Sequence, residues 1–109
     1  MPEERASILE SLAAEAIRLG FNELEVEYDD GRDQIYAQKD GFGLGIASLP
    51  SEESLALRTE LSVVKRRKRE IVVDGVKVEL RATSFHSFGE TAYRVELRRV
   101  DKVSPKKKR

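Results

Sequence analysis

The chain has 109 residues, 39% apolar and 37% charged, with twenty basic side chains against twenty acidic ones and no cysteine. That length suggests one domain, burying roughly two-thirds of the surface its unfolded chain exposes. The missing cysteine excludes disulfides and thiolate chemistry and fits a cytoplasmic location, while a balanced charge says nothing about partners.

The opening Met1-Pro2-Glu3-Glu4-Arg5 lacks a secretory signal pattern. No apolar run approaches the ~20 residues of a membrane-spanning helix, so no membrane insertion is expected. Residues 3–19 read as an amphipathic helix, with Ile8, Leu9, Leu12, Ala13, Ala16 and Ile17 on one stripe. Pro2 suits a first turn, Glu3 and Glu4 favour the positive end of the dipole, and Gly20 is placed to end the helix in the left-handed conformation. Leu24, Val26 and Tyr28 alternate with Glu23, Glu25 and Glu27, a strand with one acidic, wet face. Asp29-Asp30-Gly31-Arg32 is a turn, Ile35–Gln38 returns as a strand, Asp40-Gly41 turns again, and Phe42–Ala47 forms a third strand. Gly41, Gly43 and Gly45 recur two apart; they either weaken this strand's packing or let another backbone or a helix approach.

A second helix opens at Leu49-Pro50-Ser51, with Ser51 as the cap and Leu49 and Leu55 as a hydrophobic staple. Leu57, Leu61 and Val64 continue its apolar stripe, and the helix is expected to fail between Ser62 and Val64. Residues 69–73 form the next strand, and Asp74-Gly75 predicts a two-residue type I′ hairpin. Val76, Val78, Leu80 and Ala82 alternate inward against Lys77, Glu79, Arg81 and Thr83. A Ser-, Thr- and Gly-rich loop then leads to a last strand with Tyr93, Val95 and Leu97 against Arg94, Glu96 and Arg98. The expected fold is α+β: order αβββαβββ, a mostly antiparallel sheet, and both helices on one face. Residues 1–100 form the domain, and 101–109 are expected to be a frayed basic tail.

Several of these runs resemble one known family. Val78-Glu79-Leu80-Arg81-Ala82-Thr83-Ser84, then Gly89-Glu90 and a basic alternating strand, resembles the PAS-like domain preceding the RecA-like motor of type II secretion and type IV pilus assembly ATPases. Ala16–Gly20, Asn22–Glu27, Tyr36, Asp40-Gly41 and Ser48-Leu49-Pro50 follow in the family's order, so the resemblance covers about residues 6–100. The family carries more residues between the second helix and the next strand; here Lys65–Arg69 bridges a shorter gap. The motor itself has no counterpart: no Gly-x-x-x-x-Gly-Lys-Ser/Thr occurs to cradle a nucleotide's phosphates. The chain is thus expected to be a stand-alone relative or a fragment, not an enzyme, with no cofactor.

Few residues suggest chemistry. His86 lies near Thr83, Ser84, Ser87 and Glu90, but nothing in the spacing fixes a nucleophile on a base, and a polar self-bonded stretch is the simpler account. One histidine without cysteine argues against zinc, and Glu23, Glu25 and Glu27 form a solvated strand face rather than a shaped calcium loop. Arg81 is the leading site candidate. The resemblance implies that an arginine here can face nucleotide held by the motor, and a guanidinium suits phosphate through its planar fork. Its alternative is an exposed strand residue opposite Glu79 or Glu96. Arg94, Arg98 and Arg99 fall one register off the family's last basic strand and are not carried over.

Lys65, Arg66, Arg67, Lys68 and Arg69 form a basic run, echoed by Lys106-Lys107-Lys108-Arg109, while acid is concentrated in the first thirty residues. Three readings follow. The resemblance implies a non-catalytic interaction or regulatory domain that docks on a motor ATPase domain or another secretion or pilus component, and homo-oligomers are allowed. The basic runs allow a nucleic-acid-binding module with salt-sensitive affinity, although aromatics such as Phe42, Phe85, Phe88 and Tyr93 are few and no recognition motif accompanies them. The element order also allows a small dimeric secretion-type chaperone, which would need an exposed apolar patch.

Overall fold

The computed structural model describes residues 7–87 and 89–100. Pro2, Glu3, Glu4, Phe88 and the tail at 101–109 lie outside the described residues. The elements run α1 (Ile8–Arg18), β1 (Glu23–Asp29), β2 (Arg32–Lys39), β3 (Phe42–Leu49), α2 (Ser51–Arg66), β4 (Arg69–Val73), β5 (Val76–Ser87) and β6 (Glu90–Arg99). All six strands join one antiparallel sheet, in the order β3-β2-β1-β6-β5-β4. The α+β class and element order are as the sequence predicts.

Three hairpins use the same chemistry. Asp30-Gly31, Asp40-Gly41 and Asp74-Gly75 each place both residues at positive φ, between 51° and 82°, the requirement of a type I′ turn. Asp tolerates that conformation and Gly adopts it freely. Gly41 therefore belongs to a turn, and only Gly43 and Gly45 lie within β3. A Cβ on Gly45 would meet the Tyr36 ring at 3.7 Å, ordinary contact, so nothing in this chain closes on that glycine. The β2–β3 register jumps from Ile35↔Ala47 to Tyr36↔Gly45, making Ile46 the extra residue of a bulge.

The period of two divides the sheet cleanly. Leu24, Val26, Ile35, Ala37, Ile71, Val73, Val78, Leu80, Ala82, Val95 and Leu97 face inward and are buried. Leu9, Leu12, Ala13 and Ala16 of α1 and Leu57, Leu61 and Val64 of α2 join the same core, so both helices lie on that face. Val76 departs from the expectation: at the hairpin end of β5 it is exposed, although Val73 opposite it is buried.

Helix α1 is capped at both ends. The Ser7 hydroxyl accepts from the Glu10 N–H, and the C-terminus closes as a Schellman motif, with Gly20 N–H donating to Ile17 and Phe21 N–H to Ala16. Gly20 has φ 92°, as expected. Helix α2 corrects three expectations. Its cap is Pro50, without a side-chain bond, and Ser51 is the first helical residue. Leu55 is exposed, so no staple forms. The helix continues to Arg66 because Val64 is buried beneath it, tertiary packing overriding the weak β-branched stretch. A further correction concerns residues 83–87: the Ser- and Thr-rich stretch is strand, and β5 runs to Ser87.

Two polar networks fix the helices. At one end, Glu60 of α2 caps α1: it accepts from the Ser7 hydroxyl and, at 3.2 Å, from the Leu9 N–H, while Arg69 reaches it at 2.8 Å. Burial, the largest single influence, pushes the Glu60 carboxyl up. The bonds from Ser7, Arg69 and the Leu9 N–H, with the charge of Arg69, outweigh it and hold the group below its ordinary value. A carboxyl lowered by folding adds stability above its unfolded pKa and loses it as pH falls through the folded one. Glu60→Gln is therefore expected to lower the thermal midpoint at pH 7, with the gap to the parent closing below about pH 4.3. A gap that stays constant from neutral pH to pH 3 would show that the charge of Glu60 plays no part.

At the other end Asp33, fully buried, takes the Ser54 hydroxyl and the fork of Arg58, whose Nη2 lies 2.7 Å from Oδ1 and Nε 2.9 Å from Oδ2. Arg58 also donates to the Thr91 carbonyl at 2.9 Å and lies over the Tyr93 ring at 5.5 Å. This one guanidinium thus ties α2 to β2 and β6.

Candidate docking face

Helices cover one face of the sheet, and the side chains of the opposite parity form the other. Across its centre the rows run Arg81, Glu96, Glu23, Gln38 and Thr83, Arg94, Glu25, Tyr36 from β5 to β2. Cations stand on β5 and β6 and just before β4, interleaved there with Glu70, Glu79 and Glu96, while carboxylates fill β1. Arg94 meets Glu23 at 3.2 Å and lies over the Phe85 ring at 5.1 Å. On β1, a hydrogen bond with Glu25, then burial and the charges of Glu25 and Asp29, hold the Glu27 carboxyl above its ordinary value. Gln38 donates to Glu25 at 2.7 Å.

Glu79 is the focus of the basic half. Parity places it on this open face, yet its side chain is only 6% exposed. Lys68 Nζ lies 2.8 Å from Oε2, and Arg81 Nε and Arg98 Nη1 each lie 3.6 Å from Oε1. The aliphatic stems of such long side chains cover a neighbour while their charged heads stay wet. The Lys68 bond, reinforced by the charges of Lys68, Arg81 and Arg98, holds the Glu79 carboxyl below its ordinary value despite desolvation. Among the described residues, Oε1 has no hydrogen-bond partner.

Arg81 sits where the sequence places it, exposed, opposite Glu96 and beside Glu79. The basic run does not act as one patch. Lys65 and Arg66 close the last turn of α2, and Arg67 is its extended C-cap. Lys68 turns to Glu79, while Arg69 turns to the helices and binds Glu60 and Glu10. Part of the run nevertheless meets Arg81. A cleft of about 360 Å³ is lined by Val64, Lys65, Arg66, Lys68, Arg81, Ala82 and Thr83. On the other side of Arg81, Thr83, Arg94, Glu23 and Glu96 line a second cleft of about 250 Å³. His86 is exposed on β5 opposite Thr91. Among the described residues no group of three or more His, Cys, Asp or Glu could hold a metal ion, and no helix is long and apolar enough to cross a membrane.

Sequence reasoning missed two features. Asp33 shares the inward parity of Ile35 and Ala37, and Ser54 and Arg58 stand four apart on α2; that combination was the available signal. Only Arg81 is local to Glu79; Lys68 and Arg98, which complete its surroundings, come from other segments.

No protein-family model matches the chain, and no curated protein does. Among solved structures, the X-ray structure of the Legionella pneumophila ATPase DotB matches 96% of this chain with a TM-score of 0.52 at 17% identity. The match takes in only 32% of the DotB chain. At that identity the likeness shows the fold. The chain thus has the fold of about a third of an ATPase, and that third matches it almost end to end.

Proposed function

We propose that the chain is a non-catalytic docking domain of the kind that precedes the motor in secretion and pilus assembly ATPases. Its open sheet face meets a motor domain or partner subunit. The observation that carries this reading is the one-sided fold: both helices cover one face, and the other is left open, with Arg81 exposed between Glu79 and Glu96. The fold shared with part of an ATPase supports it, as does the ordered set of motifs from Ala16 to Arg99. On this reading Arg81 reaches toward nucleotide held by the motor, because it lies at the rim between two clefts and its fork suits a phosphate.

The test is titration of a nucleotide-loaded secretion-ATPase motor domain from the same organism, expressed without its own N-terminal domain. Arg81→Ala is expected to shift the thermal midpoint by less than about 4 °C, since exposed ion pairs add little stability. It is expected to weaken motor binding about tenfold, the scale of a lost charge-assisted bond. Arg81→Lys restores charge but not the fork, so recovery is partial. Binding unchanged by Arg81→Ala would remove Arg81 from the interface, and ATP turnover by the purified chain would refute the non-catalytic reading.

A further inference from the structure

The cleft between the end of α2 and β5 is built for an anion. Its walls carry Lys65 and Arg66 from the last helical turn, Lys68 from the turn into β4, and Arg81 and Thr83 from β5. No carboxylate lines it, in a chain whose basic and acidic residues are equal in number. Among the described residues, neither Lys65 nor Arg66 has an acidic partner within 4.0 Å. Their place at a helix C-terminus complements the dipole, which accounts for two of the four cations but not for Lys68 and Arg81.

Both stand beside Glu79, buried behind them, which bonds Lys68 and draws Arg81 by charge. The carboxylate binds the Lys68 ammonium at 2.8 Å and attracts the Arg81 guanidinium from 3.6 Å without lining the cleft, and the four cations outnumber Glu79 and Glu96, the carboxylates nearest Arg81, so the site stays positive. The backbone adds a donor. Val100 N–H donates to the Lys77 carbonyl, so odd residues of β5 bond to β6 and even ones turn toward β4. The β4 ladder stops at Leu80, and Ala82, on the same side, turns its N–H to the cleft with no strand beside it.

We propose that this cleft binds a diphosphate group. Its volume is that of a small-molecule site. The planar fork of Arg81, the two lysine ammoniums, the Thr83 hydroxyl and the Ala82 N–H supply donors to several phosphoryl oxygens. No aromatic side chain lines the cleft, so it offers no stacking platform for a base; recognition rests on the phosphates, whether they come from pyrophosphate or from a nucleoside diphosphate. The site shares Arg81 with the docking face but needs no motor, so it stands or falls by itself.

The experiment is calorimetric and NMR titration of the full chain with inorganic pyrophosphate, without divalent metal, at low and at physiological salt. Saturable one-to-one binding is expected, weakening as salt rises, with amide shifts centred on Ala82, Thr83 and Lys65–Lys68. ADP is expected to bind about as well as pyrophosphate, and orthophosphate more weakly. Lys68→Ala and the pair Lys65→Ala/Arg66→Ala are each expected to weaken binding about tenfold or more. Arg81→Lys keeps part of the affinity. Arg18→Ala and Lys39→Ala, away from the cleft, leave it unchanged and check that total charge is not the cause. Thermal midpoints confirm that each variant is folded. Absence of saturable binding, or binding indifferent to the cleft variants, overturns the assignment. So does a single-stranded oligonucleotide that displaces pyrophosphate at equal phosphate concentration, which would make the site a nucleic-acid surface.

Discussion

Arg58→Ala is expected to destabilise the protein by about 3 kcal/mol, the low end of what breaking a buried ion pair costs. The low end applies because Arg58 is itself 24% exposed at the side chain, whereas Asp33 is 0% exposed. That difference gives the pair a direction. Removing Arg58 unpairs a carboxylate that lies fully buried, leaving the Ser54 hydroxyl as its side-chain partner. Asp33→Asn keeps an acceptor for Ser54 and Arg58, and the guanidinium recovers part of its hydration, so the loss is smaller. Replacing both residues with leucine is expected to recover much of the loss of Arg58→Ala, since a packed apolar pair often matches a buried ionic one. For a chain of this size the drop for Arg58→Ala is roughly 12 °C or more in thermal midpoint, measured by scanning calorimetry of the four proteins. Equal losses for Arg58→Ala and Asp33→Asn would contradict this direction, because the stranded carboxylate would then cost no more than the stranded guanidinium.

The second large effect is on binding. Arg81 and Arg94 stand on neighbouring strands of the open face, beside Glu79 and Glu23 respectively. Arg81→Glu with Arg94→Glu removes two cations from the open face and adds two carboxylates to a side already holding Glu23, Glu79 and Glu96. Desolvated charge pairs at an interface cost ~2–5 kcal/mol when broken, so the double reversal is expected to weaken motor binding at least ~100-fold. Both side chains are about half exposed, and the fold is expected to survive. Loss of binding together with loss of cooperative unfolding would instead assign these arginines to the structure of the sheet. A control reversal on the helix side, Arg18→Glu, is expected to leave binding unchanged.

Much of this architecture could be read before any coordinates. Strand alternation named the inward residues of β1, β5 and β6 apart from Tyr28 and Val76, which are exposed at strand ends, because one side of an antiparallel sheet is buried and the period of two leaves little freedom. The Asp-Gly pairs named the hairpins, since few other sequences accept two successive positive φ values. The neighbours of Arg81 followed from parity and register alone. What resisted was everything set by packing between distant segments. The end of α2 depends on burial of Val64, not on local propensity. The inward turn of Asp33 is stabilised only once Arg58 arrives from α2, and the sequence alone leaves that residue between the turn ending at Arg32 and the strand from Ile35. The basic run looked continuous as text. In the fold, successive residues at a helix end and strand start point in different directions, so Lys68 and Arg69 reach opposite sides of the sheet. The cleft that unites Lys65, Arg66 and Lys68 with Arg81 exists because the chain passes from α2 to β4 in a short turn beside β5.

The central claim is that the uncovered face of the sheet is the docking surface. It is tested most directly by mapping amide perturbations on the isotopically labelled chain as a secretion-ATPase motor domain is added. The account predicts shifts and broadening on the open face at Glu23, Glu25, Tyr36, Arg81, Arg94 and Arg98, with the outer surfaces of α1 and α2 unaffected. Perturbations confined to the exposed helix residues, such as Ser11, Glu15, Leu55 and Thr59, with the open face silent, would contradict it.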